Sequence, residues 1–170
     1  MKRDLLSSAP SPAAMAPALS AAESSWLSAI ITSSTDAIIS KNLDGIIASW
    51  NPAAERVFGY TPQEIIGKSI RTLIPQDRQS EEDEILANIH AGRTVSNFET
   101  VRLHKDGSAI PIIVTVSPIY DPSGKIVGAS KIVRDVSREH ENRERLEESE
   151  ARFKALADNM SQLAWMTRPD

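Results

Sequence analysis

The apolar positions change spacing several times along the 170 residues, and each change marks an element. Trp26, Leu27, Ile30 and Ile31 recur at helical spacing and predict a short amphipathic helix from Glu23. Asp36 to Lys41 and Ile46 to Trp50 read as two strands of a hairpin. Asn42-Leu43-Asp44-Gly45 supplies its turn, with Gly45 free to take positive φ. Two short helices follow. Asn51 suits the cap of the first, Pro52 its first position and Gly59 its end. Thr61 and Glu64 have capping-box spacing for the second, which Gly67 closes. Ile70 to Pro75 is an apolar connector. Gln76 to His90 predicts a longer helix with Ile85, Leu86 and Ile89 on one side, stopping at Gly92.

Period-two patterning then returns. Thr94 to His104 alternates weakly and ends at Lys105-Asp106-Gly107, a hairpin signal. Ser108 to Ile119 puts Ile110, Ile112, Val114 and Val116 on one face and Pro111 and Ile113 on the other. Asp121-Pro122-Ser123-Gly124 is the next turn, and Lys125 to Val136 the last strand. Two strands, three helices and three strands make an α+β domain, an antiparallel sheet with its helices gathered on one face.

Beyond Val136 the chain turns highly charged. Ser137 to Ala157 contains no Gly or Pro, and Ser137 is placed to cap a helix. Leu146, Phe153 and Leu156, with Ser149 in the fourth place, form a thin seam that suits a short coiled coil between two copies; a solvated linker is the alternative. The start of the domain then recurs at an offset of about 127 residues. Trp26 to Ile31 ahead of Asp36 to Ile39 is echoed by Phe153 to Asp158 ahead of a strand at Leu163 to Met166. The expected organisation is a flexible N-terminal segment (1–23), the α+β domain (24–136), a linker helix (137–157) and the truncated start of a second such domain (153–170). On this reading the chain is the front part of something longer, with a downstream signalling domain to follow.

Composition narrows the chemistry. Apolar residues at 41% suffice for a packed core, and a formal charge of −4 without a basic block argues against nucleic-acid binding. With no cysteine there are no disulfides, thiolate metal sites or thiol nucleophiles. Prolines at 10, 12 and 17 break the Ala- and Ser-rich start, so no signal-peptide core forms, and no apolar run is long enough to span a membrane. These features fit a cytoplasmic protein. Three scattered histidines make no metal site, and neither a nucleophile–base pair nor a glycine-rich phosphate loop is present, so no catalytic residue is assigned.

From Trp50 onward the chain resembles the PAS family. Trp50-Asn51-Pro52-Ala53-Ala54-Glu55-Arg56-Val57-Phe58-Gly59-Tyr60 matches its first helix, and Glu64 to Lys68 with Leu73-Ile74-Pro75 the next stretch. Phe98 to Gly107 and Val116 to Ile119 match its central hairpin, and Gly128 with Asp135-Val136-Ser137 its last strand and exit motif. The likeness covers about two-thirds of the chain. It implies a five-stranded antiparallel sheet cupped around a helical side, enclosing a small pocket, and a sensor or dimerisation module similar to the tandem domains of bacterial two-component sensor histidine kinases.

The resemblance also permits exclusions. Blue-light members carry a reactive cysteine where this chain has Ile70, so a cysteinyl flavin adduct has no thiol. Haem members place a proximal histidine near Glu81, and a carboxylate is a poor axial ligand. His90, beside the end of the long helix, is read as a dipole-favoured terminal residue, and His104 as exposed before its turn. His140-Glu141-Asn142-Arg143 looks like a kinase phosphoacceptor motif but lacks its proline, and is read as charged linker. The cofactor, if any, stays open. Ile85, Ile89, Phe98, Ile112, Val114 and Ile132 are the expected lining of a pocket for a small apolar ligand, or else simply fill the core. The expected relay runs through Asp135, Val136 and Ser137 into the charged helix, with a homodimer as the responding assembly.

Overall fold

The structure, a computed structural model, describes residues 20–166, with side chains through residue 157. The expected flexible segment lies mostly outside the described residues. Helix α1 (Ala21–Ser33) starts two residues before Glu23, because Ser20 and Glu23 cap each other. The Glu23 carboxylate accepts from the Ser20 backbone N–H at 2.8 Å and the Ser20 hydroxyl accepts from the Glu23 N–H at 3.2 Å. None of its residues is buried, and Trp26 is 67% exposed.

Strands β1 (Ala37–Asn42) and β2 (Ile47–Trp50) form the first hairpin. Helices α2 (Pro52–Phe58) and α3 (Pro62–Ile65) follow with the expected caps. Asn51 accepts from the Ala54 N–H at 2.9 Å, Gly59 ends α2 at φ +76°, and Glu64 accepts from the Thr61 N–H at 2.9 Å. The helix expected from Gln76 to His90 is divided. Gln76–Arg78 is a 3-10 turn and α4 runs Ser80–His90. The break has a polar cause: Gln79 donates from its amide to the Ile74 carbonyl at 2.7 Å, and Arg71 donates to the Gln79 carbonyl at 2.9 Å. Those bonds tie the turn to the preceding segment instead of to a continuous helix.

Strands β3 (Val95–Leu103), β4 (Ala109–Tyr120) and β5 (Ile126–Asp135) complete one antiparallel sheet in the order β2-β1-β5-β4-β3. The last strand thus lies in the middle. Its inward face and that of β4 pack on Phe58, Ile65, Leu73, Ile85 and Ile89 from the helical side. Gly128 is required where β5 crosses β1, since a Cβ there would collide with the Lys41 carbonyl.

One helix, α5 (Ser137–Met166), leaves the sheet. It passes straight through Leu163 to Met166, where the repeat predicts a strand. A lone strand has no ladder to join, whereas a helix satisfies its own backbone groups. Residues 167–170, the rest of the expected second domain, lie outside the described residues.

Candidate sensory core and output junction

The apolar interior holds a small cavity of about 20 Å³, lined by Ile39, Phe58, Ile70, Leu73, Ile112, Val114 and Val133 together with Arg102 and Lys131. That is room for about one water molecule. Of the six predicted lining residues, Ile112 and Val114 reach it. Ile85 and Ile89 are buried but serve as core under α4, and Phe98 packs at the core's edge. Ile132 is a correction: it is 47% exposed on the outer face. Strand parity decides this, because Ala129, Lys131 and Val133 point inward and Ile132 falls between them.

The inward residue in its place is a lysine. Lys131 is paired across β1 with Ile39, and Lys41 lies two residues further along β1 on the same inner face. Both ammonium groups reach the carboxylate of Glu82 on α4, Lys41 at Oε1 and Lys131 at Oε2 at 2.8 Å. All three are buried, Glu82 completely. A second link lies alongside. Arg102 of β3 donates to Glu81 at 2.8 Å, and Thr100 donates to the same oxygen at 2.7 Å. Two adjacent carboxylates of α4 are therefore held by three buried cations of the sheet.

Burial sets the protonation of this cluster, because taking an ammonium out of water favours its neutral form. Burial and then the neighbouring Lys131 charge bring Lys41 down to about 6. Burial and then the Arg102 charge bring Lys131 down to about 7. The Thr100 and Arg102 hydrogen bonds hold Glu81 below its usual value although partial burial opposes them. The sequence signal for the cluster is charge in the inward phase of strands: Lys41 continues Ala37 and Ile39, and Lys131 stands between Ala129 and Val133. Weighing Ile132 by hydrophobicity alone conceals it.

The predicted relay residues come together where β5 becomes α5. The Asp135 carboxylate accepts from the Ser137 backbone N–H at 2.8 Å and from its hydroxyl at 2.6 Å. Asp135 is therefore the capping side chain, and Ser137, read from sequence as the cap, is the helix's first residue and donates. Val136 is buried; its N–H donates to the Pro111 carbonyl on β4 at 3.1 Å, and its carbonyl accepts from His140 at 3.0 Å. The first turn of α5 is thus fastened to two adjacent strands. Further along, Leu146, Phe153 and Leu156 stand exposed.

His104 is also corrected. It is only 30% exposed and lies over Gly59, where a Cβ would strike its ring; Asp106 sits 3.0 Å from its Nδ1. Among the described residues no three His, Cys, Asp or Glu side chains gather as a metal site, and no helix is long and apolar enough to cross a membrane.

A five-stranded antiparallel sheet with its helices on one face, a nearly filled core and a central strand continuing into an exit helix defines the small α+β sensory modules. A family model described as PAS fold matches residues 26–136, and the chain belongs to that family. The chain is similar to the PAS domain of a protein from Colwellia psychrerythraea, at 29% identity and a TM-score of 0.62, over 67% of this chain and 97% of that one. It is also similar to the PAS domain of an HTR-like protein from Haloarcula marismortui, at 25% identity and a TM-score of 0.57, over 66% and 90% of the two chains. Two-component system protein A of Emericella nidulans is 33% identical over 96 residues. That match takes in 56% of this chain but spans only 14% of the fungal protein's length.

Proposed function

We propose that this PAS domain is the input module of a two-component signalling protein and that it passes its state through β5 into paired α5 helices. The observation that carries the reading is the junction. The central strand of the sheet enters α5 with one residue between them, and Asp135 and Val136 fasten that junction to β5 and β4 by three hydrogen bonds. A tilt of β5 then moves the first turn of α5 with it. The exposed Leu146, Phe153 and Leu156 supply the seam on which two such helices pair, and the likeness to a fungal two-component protein supports a phosphorelay output.

The test is Asp135→Ala in the full-length signalling protein. Altered basal or stimulated output with folding retained is the expected result. Unchanged signalling at unchanged stability would overturn the relay.

A second reading, a constitutive pairing module with a filled core, is favoured by the cavity of about 20 Å³, which has no room for an organic cofactor. Absorption spectra and mass spectrometry of the extracted protein separate the two where a small organic molecule is the signal.

A further inference from the structure

The buried cations outnumber the carboxylates they meet. Lys41 from β1, Lys131 from β5 and Arg102 from β3 face Glu82 and Glu81 from α4. Glu81 also serves Arg78 at 3.0 Å, and Arg71, the remaining charged group near Lys41, is paired with Asp83. With every group ionised, the interior carries one positive charge too many. An isolated interior charge is far costlier than a paired one.

The excess lies beside an opening. Lys131 and Arg102 are the two charged residues that line the cavity, and the remaining lining is apolar. Lys131 meets Glu82 and the neighbouring Lys41 amine, which leaves at least one of its three N–H donors uncommitted, and the bonds of Arg102 all leave from Nη1. Both cations therefore retain donor capacity. The volume, about 20 Å³, suits a single small ion and leaves no space for the carbon chain of an organic acid.

We propose that the cavity between Lys131 and Arg102 is a binding site for one small inorganic monoanion of the chloride class. The inference deepens the reading of the domain as a responsive input module and rests on it. A bound chloride brings the interior to neutrality with both lysines protonated. Without the anion, the same neutrality is reached when one lysine releases its proton. Anion uptake and proton uptake at Lys41 and Lys131 are therefore linked: acid favours the anion, and the anion favours the protonated lysines.

The experiment compares thermal unfolding of the whole chain in sodium chloride and in sodium gluconate of equal ionic strength, at pH 6 and pH 9. Gluconate is too large to enter. The expected result is a melting temperature about 3 °C higher in chloride at pH 6, shrinking at pH 9. Lys131→Met removes the excess charge while leaving the Lys41–Glu82 pair, so the variant is expected to fold and to melt alike in both salts. In crystals soaked in bromide, an anomalous peak is expected within hydrogen-bond reach of Lys131 and Arg102. Equal melting of the unaltered chain in both salts, a full chloride effect in Lys131→Met, or a cavity without bromide overturns the proposal. The Asp135→Ala result is independent of all three. An absent anion effect beside altered Asp135→Ala signalling removes the anion and leaves the relay.

Discussion

Asn51 is the residue on which three elements converge. Its Oδ1 accepts from the Ile38 and Ala54 N–H groups at 2.9 Å, and its Nδ2 donates to the Ile31 and Asp36 carbonyls at 3.1 Å. It therefore fixes the end of α1, the start of β1 and the first turn of α2 from a position only 3% exposed. Asn51→Ala leaves these backbone groups, most of them half-buried, without their amide partner and is expected to cost about 2–4 kcal/mol, read by chemical denaturation. A loss below about 0.5 kcal/mol would show that water replaces the amide. Its capping of α2 was legible, because a cap acts on residues close in sequence. Its hold on α1 was not, since Ile31 lies twenty positions away. The buried lysines were hidden for a related reason. An inward lysine is tolerable only once Glu82 arrives from α4, and nothing local announces that pairing.

At the scale of elements, α5 extends 30 residues, about 45 Å at helical rise, well beyond the sheet. Its first part was readable from charge density and the absence of Gly and Pro. Its continuation to Met166 was not, because the repeat pointed to a strand that has no sheet beside it. Phe153, 75% exposed, is the largest apolar group of the proposed seam. Light scattering after size exclusion is expected to find the 1–157 form dimeric and the 1–136 form monomeric. Phe153→Glu in the 1–157 form is expected to weaken association at least tenfold, since it places two carboxylates in the contact. A 1–136 form that dimerises as strongly would move the interface onto the domain itself. The other exposed helix, α1, has the amphipathic spacing, but none of its residues is buried, and Leu27, Ile30 and Ile31 stay 41–47% exposed.

For the whole molecule, the buried charge cluster makes stability depend on pH in an uncommon direction. Lys41 and Lys131 are lowered to about 6 and about 7 in the folded state, while lysines of an unfolded chain hold their protons to about 10.4. Between those limits the unfolded state binds more protons, so stability rises with pH from about 6 towards about 10 and is flat on their account below that window. Denaturation midpoints measured in chloride-free buffer at pH 6, 8 and 9.5 are expected to climb, and Lys131→Met to flatten the climb. A midpoint falling over that range would contradict the lowered lysines. The fold class and strand order of appearance were legible because period and turn chemistry are written locally. The small cavity was not, since its volume depends on how side chains from six separate elements meet.

The central place of β5 also governs when the domain can form during synthesis. Until residues 126–135 have left the ribosome, the β1–β2 hairpin and the β3–β4 hairpin have no strand to join them, and each alone is marginal. The nascent chain therefore waits, with both halves open, for its final strand. Sheet assembly and the anchoring of α5 both wait on β5, so the helix gains its attachment to the domain only once the domain gains its fold.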